Sequence, residues 1–270
     1  MIGSHADSPA FKVETLEIGS FKIYEVVPDG VSDESRPTIL EIHGGGFINL
    51  GGDLCRILAL HPATVFNARV WAVDYRQPPD HPFPTPLDDC LDAYRSLLAV
   101  RQAQEILVLG GSAGGNLAAA MVLRARDEGL PMPAGVILRT PAADLTDSGD
   151  SLHTNEGLDN VLFAAEPVVN RLYAGAADLR DPCVSPLFGD FTRGFPPTLL
   201  TSGTRDLFLS NTVRMHRALR NAGISADLHV MEAAGHGGFY GAAPEDREIE
   251  SEMRAFADRQ WSRQAASAKT

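Results

Sequence analysis

The chain has 270 residues, a formal net charge of −12 and a pI near 5.0, with 44% hydrophobic and 21% charged residues. That balance provides the core of one large α/β domain and argues against nucleic acid or an anionic membrane as a partner, since no basic patch or cationic tail appears. Cys55, Cys90 and Cys183 have neither metal-ligand nor redox spacing, and their odd number suits no disulfide framework, so reduced thiols in a cytoplasmic protein are expected. There is no signal-peptide h-region, and no apolar run approaches membrane-spanning length.

In chain order, Phe11 to Ile18 and Phe21 to Val27 alternate in polarity around Gly19-Ser20, which predicts an antiparallel hairpin at a sheet edge. A polar loop from Pro28 to Pro37 leads to a buried strand, Thr38 to His43, that runs into Gly44-Gly45-Gly46. One helix is expected through Leu58 and Leu60, then a strand at Val70 to Val73, then an irregular crossing rich in proline and histidine from Asp74 to Pro86. Leu87, Leu91, Tyr94 and Leu98 share one face of a helix running from about Pro86 to Gln102. The apolar run Ile106 to Leu109 enters Gly110-Gly111-Ser112-Ala113-Gly114, followed by a run of helix formers that ends at Gly129 and Pro131.

Further strands are expected at Gly135 to Leu138, Thr198 to Ser202 and Ala226 to Met231. A helix from about Asn211 to Ala222 has Ser210 as N-cap and Gly223 as its stop, and the last helix starts near Pro244. Strands alternating with helices predict a mostly parallel central sheet with helices on both faces. Between Pro141 and Pro196 no strand is evident; a stretch that long reads as a functional insertion, and its clearest helix lies around Glu166 to Tyr173.

The pattern G-x-S-x-G after a strand and before a helix is the nucleophile elbow, in which Ser112 stands above the sheet. A serine hydroxyl needs a base to take its proton and a third group to orient that base. Asp206 and His236 follow strands downstream in the order serine, acid, histidine, and they complete a candidate triad. His61, His81 and His153 fall in the wrong chain order, while His216 lies in a helix and His229 in a strand. Acyl transfer also needs donors for a developing oxyanion, and the expected donors are the backbone N–H groups of Gly45, Gly46 and Ala113. His43 is expected to brace this loop. A phosphate-binding loop is argued against, because no Lys-Ser/Thr follows the glycines.

These pieces together resemble the hormone-sensitive-lipase-like branch of the α/β-hydrolases. The matching residues are His43-Gly44-Gly45-Gly46-Phe47, Asp74-Tyr75-Arg76, His81-Pro82-Phe83-Pro84, Gly110 to Ala118, Asp206 and His236-Gly237. Asp144-Leu145-Thr146 and Ser202 to Leu207 look most like the monoterpene ε-lactone hydrolase-like carboxylesterases of that branch. The resemblance implies an α/β-hydrolase fold over residues 1–270 as a single domain, with a helical cap insertion at 142–195. It also implies a serine carboxylic-ester hydrolase acting through an acyl-enzyme on Ser112, without metal or cofactor, on short- to medium-chain esters or lactones. A homodimer is expected by family habit alone.

An ε-lactone-specific hydrolase, an amidase or an arylformamidase would use the same triad. Gibberellin-receptor-like proteins on this scaffold lack the histidine, so His236 favours an enzyme, whereas an epoxide hydrolase or dehalogenase would need a carboxylate where Ser112 stands. The chain departs from the family at two places. Gly111 stands where many members carry an acid, and only about ten residues precede the first strand, so a more open pocket is expected.

Overall fold

In the computed structural model, residues 11–32, 37–163 and 167–267 are described. Eight strands form one sheet in the order β1 (Phe11–Ile18), β2 (Phe21–Pro28), β4 (Arg69–Asp74), β3 (Thr38–Ile42), β5 (Ile106–Gly111), β6 (Gly135–Arg139), β7 (Thr198–Gly203) and β8 (Ala226–Met231). β1 and β2 pair antiparallel, as do β2 and β4, and all later pairs are parallel. The burial of β1 alternates, as befits an edge strand, whereas β3 is buried throughout. Parallel strands covered on both faces have no solvent side to spend polar residues on.

The helices are α1 (Asp53–Leu58), α2 (Leu60–Phe66), α3 (Thr85–Leu98), α4 (Ala113–Asp127), α5 (Ser151–Thr154), α6 (Pro167–Ala174), α7 (Leu209–Asn221) and α8 (Pro244–Ser267). One face of the sheet packs Leu40, Ile42, Val108 and Leu138 against Leu91 of α3, Leu117 and Met121 of α4, and Met215 of α7. The opposite face packs Ile39, Leu107 and Ile137 against Cys55 of α1, Ala63 of α2, and Met253 and Phe256 of α8. Residues of β3 alternate between these two clusters because successive side chains of a strand point to opposite faces.

Several details differ from the sequence reading. The single helix expected around Leu58 and Leu60 is two short helices that meet at Ala59. α3 ends at Leu98, and the chain turns at Val100 and Arg101 with N–H bonds to Leu97 O. Ser210 does not cap α7, whose N-cap position falls on Phe208. A tertiary partner takes its hydroxyl instead: Ser210 Oγ accepts from Ser151 N–H at 2.9 Å, and Ser210 N–H donates to Ser151 Oγ at 2.8 Å. Between β6 and β7 lie α5, α6 and two 3-10 turns, with no strand among the described residues. α6 spans Pro167–Ala174, and Glu166 lies outside the described residues.

Candidate active site

Ser112 sits between β5 and α4 with φ 55° and ψ −122°, a backbone conformation that costs a non-glycine residue on the order of 1–3 kcal/mol. Three backbone hydrogen bonds hold it there. Ser112 N–H donates to Arg139 O at 2.9 Å, and Ser112 O accepts from Asn116 N–H at 3.1 Å and Ala142 N–H at 3.0 Å. The flanking glycines are demanded by space. A Cβ on Gly110 would lie 2.3 Å from Gly114 O, and one on Gly114 would lie 2.0 Å from Ile42 O. The side chain of Asn116, fully buried, donates to Ala142 O and Val184 O at 2.7 and 2.8 Å, which ties the start of α4 to the β6–β7 segment.

The loop after β3 lies directly against the elbow: a Cβ on Gly44 would be 3.2 Å from Ser112 Cβ. Gly45 and Gly46 have φ of 95° and 60°, and among the described residues neither N–H donates to another group. Ala113 opens α4, where the first helical N–H groups have no intrahelical acceptor. Ala113 thus follows the serine directly and Gly44 lies against it, while the N–H groups of Gly45, Gly46 and Ala113 have no acceptor among the described residues. His43 braces this loop from below. Its Nδ1 donates to Gly44 O at 2.8 Å and its ring stacks on Tyr75 at 4.3 Å, while Tyr75 OH donates to His43 O and Gly44 O at 3.1 and 3.3 Å. Burial lowers the His43 pKa against the opposing pull of Gly44 O and Asp74, which suits a neutral ring.

Asp206 and His236 meet at the carboxyl ends of β7 and β8. His236 Nδ1 lies 3.0 Å from Asp206 Oδ1, so Nδ1 carries the proton and Nε2 is left with its lone pair. Asp206 is fully buried and takes two further donors: Phe208 N–H donates to Oδ1 at 2.8 Å and Ser202 Oγ to Oδ2 at 2.6 Å. The His236 ring meets the Phe208 ring edge-on at 5.1 Å, and its carbonyl accepts from Tyr240 OH at 2.7 Å.

Sequence reasoning missed Asp159. This buried residue of the β6–β7 segment accepts Val161 N–H at 2.9 Å, Leu162 N–H at 3.2 Å, Leu207 N–H at 3.0 Å and His236 N–H at 3.2 Å. One carboxylate therefore joins the segment, the acid loop and the histidine loop. The only trace in the sequence is Gly235, where a Cβ would lie 3.1 Å from Asp159 Oδ1 and 2.3 Å from Asn160 Oδ1. α6 closes over the glycine loop from the other side. Phe47 stacks on Tyr173 at 3.9 Å, and a methyl on Gly46 would be 3.4 Å from Val169 Cγ1.

Among known proteins, a family model described as the alpha/beta hydrolase fold matches residues 39–240. An esterase of Acinetobacter venetianus is 32% identical over 215 residues, covering 78% of this chain and 71% of that protein. An acetyl-hydrolase of Streptomyces hygroscopicus is 34% identical over 189 residues, covering 69% and 62%. The crystal structure of an esterase named E25 superposes with a TM-score of 0.86 at 40% identity, covering 92% of this chain and 77% of that one. An esterase of the bacterial hormone-sensitive lipase family superposes with the same TM-score at 30% identity, covering 93% and 85%. With its sheet order, its elbow after β5 and its glycine loop after β3, the chain belongs to the α/β-hydrolase fold family, in the bacterial hormone-sensitive-lipase branch.

Proposed function

We propose that the chain is a serine carboxylic-ester hydrolase for short- to medium-chain esters, with Ser112, His236 and Asp206 as its triad. The observation that carries this reading is the Asp206–His236 pair at 3.0 Å, which leaves Nε2 as a base at the carboxyl ends of the parallel strands, the end at which the strained Ser112 follows β5. His236 Nε2 takes the Ser112 hydroxyl proton as Oγ adds to the ester carbonyl. The N–H groups of Gly45, Gly46 and Ala113 stabilise the oxyanion, and the alcohol leaves with the proton from His236. Water then repeats the sequence on the acyl-enzyme and frees the acid. Asp206 keeps the Nδ1–H tautomer and offsets the charge that His236 acquires.

Residues 142–195 act as the cap over this site. α6 presses Tyr173 and Val169 onto the glycine loop, while Val168 and Leu172 of the same helix and Phe163 before it stay exposed. That arrangement favours small and medium acyl groups over long chains. The names of the relatives, an esterase and an acetyl-hydrolase, support the ester class. The test is a panel of p-nitrophenyl esters, lactones and triglycerides with wild type beside Ser112→Ala. Hydrolysis of short p-nitrophenyl esters that disappears in the variant is expected. Undiminished hydrolysis in Ser112→Ala sinks the mechanism, and faster turnover of long-chain triglycerides sinks the substrate class.

A further inference from the structure

Behind the glycine loop, on the α1 side of the sheet, the fold gathers three side chains that are far apart in sequence. The donor atoms of His43, Cys55 and Asp74 lie within 4.8 Å of one another. His43 and Cys55 are 2% and 0% exposed. His43 Nδ1 is committed to Gly44 O, while its Nε2 is buried with no hydrogen-bond partner. A buried, bare imidazole nitrogen costs free energy unless a ligand or donor meets it. A second bare atom lies on the same strand: Glu41, two residues earlier on β3 and buried, has an unpartnered Oε2. Asp74 lines a surface hollow of about 490 Å³ with Leu50, Gly51, Gly52 and Arg76, which gives a small ion a way in from solvent.

We propose that His43, Cys55 and Asp74 form a binding site for a borderline-soft divalent metal ion, with Zn²⁺ as its representative, and that the bound ion inhibits the enzyme through the glycine loop. A thiolate, an imidazole and a carboxylate are the donor types such an ion selects. Donors within 4.8 Å of one another lie at most about 2.8 Å from a common centre, whereas zinc holds nitrogen, oxygen and sulfur at roughly 2.0–2.3 Å. Each donor therefore has to move inward by no more than about 0.5–0.8 Å. Coordination forms a metal–sulfur bond and releases the thiol proton to solvent, with no change of oxidation state. The His43 ring carries Gly44 O on Nδ1 and Tyr75 on its face, so drawing it inward moves the peptide groups that lead into Gly45 and Gly46. Displacing an oxyanion donor by a fraction of an ångström is enough to cost activity tenfold or more.

Binding stands apart from the ester-hydrolase reading, and only the inhibition rests on it. The experiment titrates the whole protein with Co²⁺, reading the thiolate-to-cobalt charge-transfer band, and with Zn²⁺, reading p-nitrophenyl butyrate turnover. Wild type is compared with Cys55→Ser, which keeps the side-chain volume, and with Cys55→Ala. The expected result is a thiolate band in wild type that both variants lack. Saturating Zn²⁺ should lower wild-type turnover at least tenfold and that of the variants less than twofold, with equal turnover before metal is added. No band in wild type overturns the site; so does a band that survives in both variants, which points to the other thiols, or inhibition that survives in both, which points to the Asp159–Asp206–His236 cluster. A band without any ester turnover supports the site and overturns the proposed function instead.

Discussion

Asp159 offers the sharpest test of how the β6–β7 segment and the triad depend on each other. Its carboxylate reaches two remote backbone donors, Leu207 N–H beside Asp206 and the N–H of His236 itself. Both residues are buried, so water cannot readily replace the lost acceptor. A hydrogen bond to a charged group contributes about 1.5–3 kcal/mol, and removing the acceptor leaves a buried donor unsatisfied. Asp159→Ala frees both remote donors and is expected to cost about 3–6 kcal/mol in stability. Asp159→Asn is the more informative change. Its Oδ1 still serves Val161 and His236, while its amide now faces the N–H of Leu207, so about 2–3 kcal/mol is expected. If about 2 kcal/mol of that is lost in holding His236 against Ser112 in the transition state, kcat falls roughly 30-fold. KM should change little, because the carboxylate does not line the ester. The assay is steady-state hydrolysis of p-nitrophenyl butyrate beside urea unfolding of the same preparations. A kcat within twofold of wild type in Asp159→Asn, whatever the stability, would refute the positioning role.

Three further outcomes are expected. Ser112→Ala and His236→Ala should lose similar activity, on the order of a thousandfold or more, because triad members act as a unit; retention of most activity in either one, measured on the same ester, dismantles the assignment. Tyr75→Phe removes the donor to His43 O and Gly44 O while keeping the ring stack, so kcat should fall about fivefold to tenfold at nearly constant KM, and an unchanged kcat would show that the hydroxyl does not hold the glycine loop. At Asp144, burial pushes the carboxyl up, but hydrogen bonds from Thr146, Ser148 and Arg214 outweigh it and leave the pKa below the ordinary value. A depressed carboxylate stabilises the fold above its unfolded pKa, and that contribution is lost as pH falls through the folded one. Asp144→Asn should therefore destabilise the protein at pH 7 by about 2–3 kcal/mol in urea unfolding, with the gap closing below about pH 4; a gap independent of pH contradicts this account.

Much of the fold was legible in the residues because the signals were local. Buried runs such as Ile106 to Leu109 cannot face water on either side, so they predict central parallel strands. Gly129 and Gly223 stand where chains leave helices, and both have positive φ. The misreadings occurred where a distant partner competed with local preference. Ser210 has the chemistry of an N-cap, yet Ser151 takes its hydroxyl from across the β6–β7 segment. Leu58 and Leu60 suggest one helix, but the chain breaks into two at Ala59 to lay Cys55 and Ala63 on the same sheet face.

By itself, the sequence determined the order of strands and helices, the elbow at Ser112, and the chain order of serine, acid and histidine. Each of these is written in residues close to one another or in the succession of elements. The tertiary structure alone decided which groups from separate elements share a space. It put Asp206 against His236, gave Asp159 to both loops, and laid α6 on the glycine loop. It also gathered His43, Cys55 and Asp74, whose spacing carries no metal pattern. The physical reason is that a sheet converts separation along the chain into adjacency across strands. A residue's neighbours there depend on register and helix packing, which no short window of sequence contains.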